Sequence, residues 1–410
     1  MEYDLVLFGA TGYTGQLCAK YLAATYSSKK TDGEVRWAIA GRSRPRLEAM
    51  RAALSLSCDV LVADTGDRDS IDAMARQARC VANLVGPYLR LGGEVVVEAC
   101  VRNGTCYVDL TGETAFYATL VDKYHEAAQR TGAIIVPSAG FDSVPGELTA
   151  YLAARALQRS DPDDEIVDAY AGISTFGWFS SGTLESILVM ASEGRGDMVR
   201  SNRPDWLSPV RGGPRQQNKF ELARYHSAFA RYGAWLFFAP HNTRVAYRAW
   251  GLARTAAADA PVRYSDAYQY QEAIVTPLWL LTVVTSIVVK LFTQSLVLFP
   301  LLRAGLSAVL PRNGGPPDII NTRLGFMDVR TVVTTQKGRT AVCRLYSRGD
   351  PGYYVTSRML IETGLSIAQT PRDQLTPLAR RGGVFPSSLA AGEVLAQRLR
   401  SNAHFDVSLT

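Results

Sequence analysis

Asp4-Leu-Val-Leu-Phe8, running directly into Gly9-Ala-Thr-Gly-Tyr-Thr-Gly15, is the stretch that decides the fold. An apolar run bounded by glycine reads as a buried parallel strand, and Gln16 to Tyr26 continues at helical spacing. The turn thus delivers the chain into a helix whose free N–H groups and positive dipole end attract a pyrophosphate. The glycines stand at 9, 12 and 15, one residue wider than the G-x-G-x-x-G spacing of dinucleotide folds. A tight strand-to-helix turn without a ligand is the alternative, and the flanking sequence favours the nucleotide. Gly9, Ala10, Thr11, Gly12, Tyr13, Thr14 and Gly15 are the candidate phosphate cradle.

Outward from this turn the alternation repeats. Glu34 to Ala40 reads as a second strand ending at Gly41-Arg42-Ser43. An acidic residue at this tip accepts from ribose hydroxyls, whereas an arginine beside a hydroxyl holds a 2′-phosphate. Arg42 and Ser43 therefore favour NADP(H) over NAD(H); a solvated surface arginine is the alternative. Asp59 to Ala63 gives a third strand, which sets Asp64 and Thr65 beside the adenine, and Cys80 to Val85 a fourth. Ligands in such sheets lie beyond the carboxyl ends of the strands, so Asn83, Val85, Gly86 and Pro87 are expected near the ribose and nicotinamide. Asp69 to Arg79 and Gly92 to Asn103 read as crossover helices, the latter closed by Gly104. Thr105 to Asp109 and Ala133 to Pro137 add two strands. Six strands alternating with helices predict an α/β, Rossmann-type, doubly wound parallel sheet over residues 1–160.

Ser138 to Glu147 closes the sixth strand and leads into a helix from Pro145 to about Arg159, where proline suits the first turn. Gly140 and Phe141 are candidate walls of the nicotinamide site. Three side chains on strand-end loops are candidate catalytic proton donors: Tyr88, Glu113 and Asp142. For each there is a structural alternative, since the Tyr88 ring can pack on the ribose and the carboxylates can cap helices, as Ser143 also can. No Ser-Tyr-x-x-x-Lys arrangement is present to fix a donor.

Composition bounds the rest. The 410 residues suffice for two cores, and 47% apolar with 20% charged residues is ordinary globular usage. The net charge of +6 is dispersed, without a basic run or an aromatic-interleaved stripe, so nucleic acid is not an expected partner. Six cysteines without a C-x-x-C pair read as buried thiols of an intracellular, cytoplasmic protein. The four histidines show no ligand spacing, and no metal is expected.

The second half reads as an α+β substrate and dimerisation domain over 161–350, the expected seat of a homodimer contact. Ile166 to Phe176 is a strand, and Val329 to Gln336 pairs with Thr340 to Ser347 as a hairpin. Gly177 to Gly182 is a loop, Thr183 caps a helix from Leu184 to Glu193, and Ser201 to Lys219 is a long surface loop. Between 273 and 310 lies an apolar stretch interrupted by Pro277, Lys290 and Pro300. Three readings stay open for it: a core helical hairpin, a patch docked on a membrane or lipid-droplet surface, or a channel for an acyl chain. Tyr353 to Ile367 and Ser387 to Arg400 read as helices, the second capped by Ser387 or Ser388.

Several stretches together resemble the saccharopine dehydrogenase-like oxidoreductases, more closely the branch of trans-acting enoyl reductases. They are GATGYTG (9–15), AGRS (40–43), VGPY (85–88), YVDLTGE (107–113), GFDSVPGE (140–147), GWFSSGTLES (177–186), APHNTR (239–244) and DPGYYVTS (350–357). The combination of YVDLTGE with GFDSVP is the specific part, and Gly146-Glu147 departs from the Ser or Asp usual after that motif. The resemblance implies an NADP-linked enzyme with a nucleotide domain, a second α+β domain interrupting it, and C-terminal helices (351–410) returning to the first. In that branch it also implies reduction of a carbon–carbon double bond on a lipid-like or polyketide acyl substrate carried by another protein. A saccharopine dehydrogenase of lysine metabolism needs arginines and lysines converging on carboxylates, a cluster this sequence does not display. A non-enzymatic nucleotide-binding scaffold docked on lipid is the rival from another class.

Overall fold

The computed structural model describes residues 1–26, 35–177, 203–211, 222–236, 238–299, 302, 305 and 315–410. The chain divides into two compact units. The first holds Met1–Val144 and Gly352–His404; the second holds most of the chain between Pro145 and Pro351, together with Phe405–Thr410.

The first unit is built on seven parallel strands: β1 (Tyr3–Phe8), β2 (Trp37–Gly41), β3 (Asp59–Val62), β4 (Ala78–Asn83), β5 (Cys106–Asp109), β6 (Ile134–Val136) and the short Gly383–Val384 strand, in the order Gly383–Val384, β6, β5, β4, β1, β2, β3. All six residues of β1 are buried, as expected for a strand covered on both faces. The crossover helices are α1 (Tyr13–Thr25), α2 (Arg44–Ala53), α3 (Arg68–Gln77), α4 (Gly93–Asn103) and α5 (Thr114–Thr131). Gly104 ends α4 at φ 66, the left-handed closure expected of it. Asp67 caps α3, its carboxylate accepting from the N–H groups of Asp69 at 3.2 Å and Ser70 at 3.3 Å. The chain reverses order between β1 and β4, so two adjacent strands send their following loops to opposite sides and open a crevice.

The segment Gly352–His404 supplies a helix, Thr356–Gln369, that lies against this sheet. Gly364 makes the approach close: a Cβ there would stand 3.0 Å from Leu5 and 3.3 Å from Val108. Glu362, fully buried in the same helix, accepts from the hydroxyls of Tyr21 and Tyr26, both at 2.6 Å, and from Arg398 at 2.8 Å. Two expectations need correction here. Residues Pro351–Val355 form a wide turn ahead of the helix expected from Tyr353. The helix expected over Ser387 to Arg400 breaks at Ala391-Gly392 into Ser387–Ala390 and Gly392–Ser401, and Pro386, not a serine, stands at its N-terminal cap. Gly392 sits at φ 46, outside the helical region, which explains the break.

In the second unit, α6 (Val144–Ser160, starting at the unit boundary) precedes a mixed seven-stranded sheet. Its strands are β7 (Ile166–Phe176), β8 (Arg224–His226), β9 (Arg231–Ala234), β10 (Tyr264–Thr276), β11 (Phe326–Thr335), β12 (Thr340–Arg348) and the last strand Asp406–Leu409. The predicted hairpin is β11 with β12, antiparallel from Phe326↔Arg348 to Thr334↔Thr340. The helix α7 (Ala239–Ala256), which carries APHNTR, packs on β10 and was not anticipated. Of the apolar stretch, residues 273–276 end β10, and Trp279–Leu298 form a single helix, α8. This helix is not core: Leu280, Leu281, Val284, Val288 and Leu291 are all exposed by 47% or more. Among the described residues no helix is long and apolar enough to cross a membrane. Residues 178–182 of the expected loop, Thr183 with the Leu184 to Glu193 helix, and residues 201–202 and 212–219 lie outside the described residues; 203–211 hold turns and bends without helix or strand.

Candidate functional site

Because β1 to β6 are parallel, the loops after them emerge at one edge of the sheet, and that edge collects every predicted cofactor residue. At the tip of β1, Gly9 holds φ +87, and a Cβ on it would stand 2.9 Å from Val85 Cγ2. A Cβ on Gly15 would stand 2.6 Å from the carbonyl oxygens of both Gly9 and Ala10. The wider glycine spacing therefore does the same work as the usual one: the first lets the turn pass β4, and the last lets the helix sit on the turn. Gly12 is the N-cap of α1 with no side-chain cap, which leaves the first N–H groups of a 13-residue helix for an anion. This cradle, which any Cβ would fill, fits a dinucleotide pyrophosphate.

At the tip of β2, Ser43 is the N-cap of α2, and its hydroxyl makes no cap hydrogen bond. Arg42 is exposed and has no carboxylate partner among the described residues, whereas Arg44 and Arg51 both pair with Glu48. A free guanidinium beside a free hydroxyl at a helix N-terminus fits a 2′-phosphate. The tip of β3 is less available. The Asp64 carboxylate accepts from Gly66 N–H at 2.9 Å and so holds its own turn, with Thr65 packed under Gly92.

The loop after β4 is tied from below. Asn83 is fully buried; its amide donates to Tyr107 Oη at 3.1 Å and accepts from Val85 N–H at 3.0 Å, so both ends are occupied. Tyr88 donates to the Asn83 carbonyl at 3.1 Å and accepts from Leu110 N–H at 3.0 Å. Its ring stacks on Phe116 at 5.4 Å, and burial holds its hydroxyl well above the usual tyrosine range. Glu113, buried, accepts from the N–H groups of Tyr88 at 2.8 Å and Leu89 at 3.0 Å. These two predicted donors are thus engaged in holding the Gly86-Pro87 loop to the loop after β5.

A residue that sequence reasoning missed anchors the same tie. Asp109, fully buried at the end of β5, accepts from Tyr107 Oη, Thr111 N–H and Ser138 N–H, each at 2.9 Å. Burial pushes its carboxyl up to about 7 against the lowering effect of those donors. The signal was present in YVDLTGE: an Asp two residues before a Thr is the spacing of an Asx turn.

Asp142 differs. It is partly exposed, and among the described residues its carboxylate has no hydrogen-bond or ionic partner. Burial alone pushes it up to about 6. Its loop is fixed on both sides: Gly140 packs where a Cβ would meet Leu110 at 2.7 Å and Thr356 at 3.0 Å, and Phe141 N–H donates to Thr356 Oγ1 at 3.0 Å. A Cβ on Gly112 would stand 3.9 Å from Asp142 Oδ2. Of the three predicted donors, Asp142 alone presents an uncommitted acid at the strand-end edge.

A family model described as the saccharopine dehydrogenase NADP binding domain matches residues 5–136. Over 97% of this chain and 95% of the relative, the sequence is 36% identical to a Mycobacterium tuberculosis protein provisionally named a trans-acting enoyl reductase. A trans-acting enoyl reductase of Mycobacterium leprae is 32% identical over 98% of this chain and 96% of its own length. The chain belongs to the saccharopine dehydrogenase-like oxidoreductases, in the branch of the trans-acting enoyl reductases. It is an NAD(P)-dependent oxidoreductase, and the cofactor of its first domain is NADP. Among solved structures, apo saccharopine dehydrogenase (L-Glu forming) from Saccharomyces cerevisiae covers 100% of this chain and 99% of its own, at 12% identity and a TM-score of 0.48. A likeness at that level adds nothing to the assignment.

Proposed function

We propose that this oxidoreductase reduces the carbon–carbon double bond of an α,β-unsaturated acyl group on a lipid-like or carrier-bound substrate, with Asp142 as proton donor. The observation that carries the reading is the unpartnered, partly buried Asp142 carboxyl on the loop after β6, at the edge where the cradle lies. The names of the relatives point to the same reaction. When bound, NADPH supplies a hydride to the β-carbon. The α-carbon then takes a proton, and Asp142, with its acidity weakened towards neutrality, holds one where solvent can replace it. Gly9, Gly12 and Gly15 admit the pyrophosphate, and Arg42 with Ser43 grips the 2′-phosphate. Tyr88, Glu113 and Asp109 act on neither substrate nor cofactor in this reading; they keep the loops after β4 and β5 in register.

The test has two parts. Fluorescence titration should show NADPH bound well over tenfold tighter than NADH, with the preference lost in Arg42→Ala. A trans-2-enoyl thioester should then drive loss of NADPH absorbance in the wild type and far more slowly in Asp142→Asn. Tight NADPH binding with no enoyl turnover would reject the substrate class while leaving the cofactor site standing.

A further inference from the structure

Helix α8 is turned inside out. Seven residues of one face, Leu280, Leu281, Val284, Ile287, Val288, Leu291 and Phe292, recur at helical spacing and are 41–66% exposed. The opposite face carries Thr282 and Ser286, both fully buried. These hydroxyls fix the rotation of the helix on its own unit: Thr282 Oγ1 lies 2.6 Å from Thr276 Oγ1 at the end of β10, and Ser286 Oγ accepts from Trp235 N–H, just after β9, at 3.1 Å. A helix held by its polar face cannot roll its apolar face inward. The apolar row also continues beyond the helix into Leu278, 63% exposed, and Phe299, 58% exposed.

We infer that this face docks flat on an anionic lipid bilayer, with the helix axis in the plane of the interface. Three observations select that occupant. Size comes first: the exposed apolar area is on the order of 1000 Å², against roughly 300–600 Å² for the largest patch of a typical monomer. The helix is also about 30 Å long at 1.5 Å per residue, but its hydroxyl face is anchored to the protein, which suits a surface helix and not a span.

Charge comes second. The sequence has no Asp or Glu from Leu222 to Ala257 or from Ala273 to Arg312. The charged residues on β8, β9 and α8 are accordingly Arg224, Arg231 and Lys290, all basic. Lys290 is the single charged residue of α8, and β9, which the helix contacts, carries Arg231; with Trp279 55% exposed at one end, that sign suits an anionic headgroup layer. Third, a second copy fits less well. A two-fold contact has enough area but would set the same acid-free elements against one another, and the row from Leu280 to Phe292 offers none of the hydrogen bonds a specific interface carries. A bilayer interior needs none. The inference is independent of the reductase reading.

The experiment is flotation of the full-length protein with vesicles of phosphatidylglycerol and phosphatidylcholine in equal parts, and with phosphatidylcholine alone. Wild type should float with the anionic vesicles, several-fold less with the neutral ones and less in high salt. The triple variant Leu280→Ser, Val288→Ser, Leu291→Ser should lose at least tenfold in partition, because each exposed side chain removed takes apolar area from the lipid. A single Val288→Asp variant should act in the same direction, and unchanged NADPH binding with an unchanged circular dichroism spectrum should show that both variants are folded. Failure of wild type to bind anionic vesicles, or equal binding by folded variants, overturns the inference. So does a lipid-free dimer, seen by light scattering, that the triple variant dissolves while wild type ignores vesicles; that result assigns the face to a second copy.

Discussion

Asp142→Asn should stabilise the protein at neutral pH while disabling the reaction. The folded-state carboxyl is raised from 3.8 to about 6 by burial. A raised carboxylate pKa means that the unfolded chain ionises first. Below pH 3.8 both states are protonated and the group is neutral in its effect. Between 3.8 and 6 the unfolded state gains, and above 6 the full cost applies. About two pKa units correspond to about 3 kcal/mol. This is an upper bound, because the side chain is only partly buried and solvent screens part of the cost. Asparagine is isosteric, carries no charge, and has no partner to lose here. The unfolding midpoint of Asp142→Asn should therefore exceed that of wild type at pH 8 by several degrees, at about 2–4 °C per kcal/mol for a unit of this size, and converge with it near pH 4.

Scanning calorimetry from pH 4 to 8 reads the stability side, and enoyl-dependent loss of NADPH absorbance reads the kinetic side. Removal of a general acid should lower kcat by about 10²- to 10⁴-fold, with KM for NADPH little changed. The wild-type rate should fall as pH rises above about 6, and the residual rate of the variant should lack that limb. A stability difference that is absent or independent of pH would refute the assignment of an ionised, unpartnered carboxyl. Stabilisation with full activity would leave the electrostatics intact and remove Asp142 as donor.

Asp109→Asn is the contrasting perturbation: its amide would face Tyr107 Oη and two N–H donors, so about 1–3 kcal/mol of stability should be lost at pH 8 despite the raised carboxyl, as urea unfolding will show. Glu113→Gln sets an amide NH2 against one of the two N–H donors, Tyr88 or Leu89, and should cost a similar amount, with no change in the shape of the pH–rate profile. Gly15→Ala drives a Cβ against two backbone oxygens at 2.6 Å, and should lower the midpoint by several degrees and weaken NADPH and NADH alike, unlike Arg42→Ala. Arg398→Met leaves the fully buried Glu362 without its cation and should cost about 3–5 kcal/mol by the same unfolding measurement.

The parallel sheet was legible because each strand is short, apolar and followed by a glycine or a polar tip, and its helices fall at matching intervals. The order of the strands comes from the structure, and their parallel pairing places six loops at one edge. What sequence could not divide was the labour among polar residues on those loops. Tyr88, Glu113 and Asp142 have equal standing as strand-end donors until their partners are known. Two backbone N–H groups claim Glu113 and one claims Tyr88, and these bonds come from residues 22 to 25 positions away or from a neighbouring loop. The break at Ala391-Gly392 escaped notice for a local reason: apolar spacing continues through Gly392, and only its backbone angle interrupts the helix.

The apolar stretch failed to resolve for a different physical reason. Periodicity establishes that a helix has two faces, but reading which one points inward assumes that apolar means buried. For α8 the assumption is reversed by two hydrogen bonds that three hydroxyls make. Thr276, Thr282 and Ser286 have side chains small enough to let the helix lie close to β9 and β10, and each finds a hydrogen-bonding partner there. Such contacts cost little to bury because they are satisfied, whereas on the order of 1000 Å² of apolar surface left in water is costly at roughly 25 cal/mol per Å². A fold that keeps this arrangement has an unmet demand for an apolar environment outside itself. Replacing Thr282 by valine and Ser286 by alanine, which removes the hydroxyls without adding volume, tests the point directly. If the hydroxyls merely fill space, the double variant should fold unchanged. If they fix the rotation, it should lose stability through the lost Ser286–Trp235 and Thr282–Thr276 hydrogen bonds and bind anionic vesicles less well than wild type.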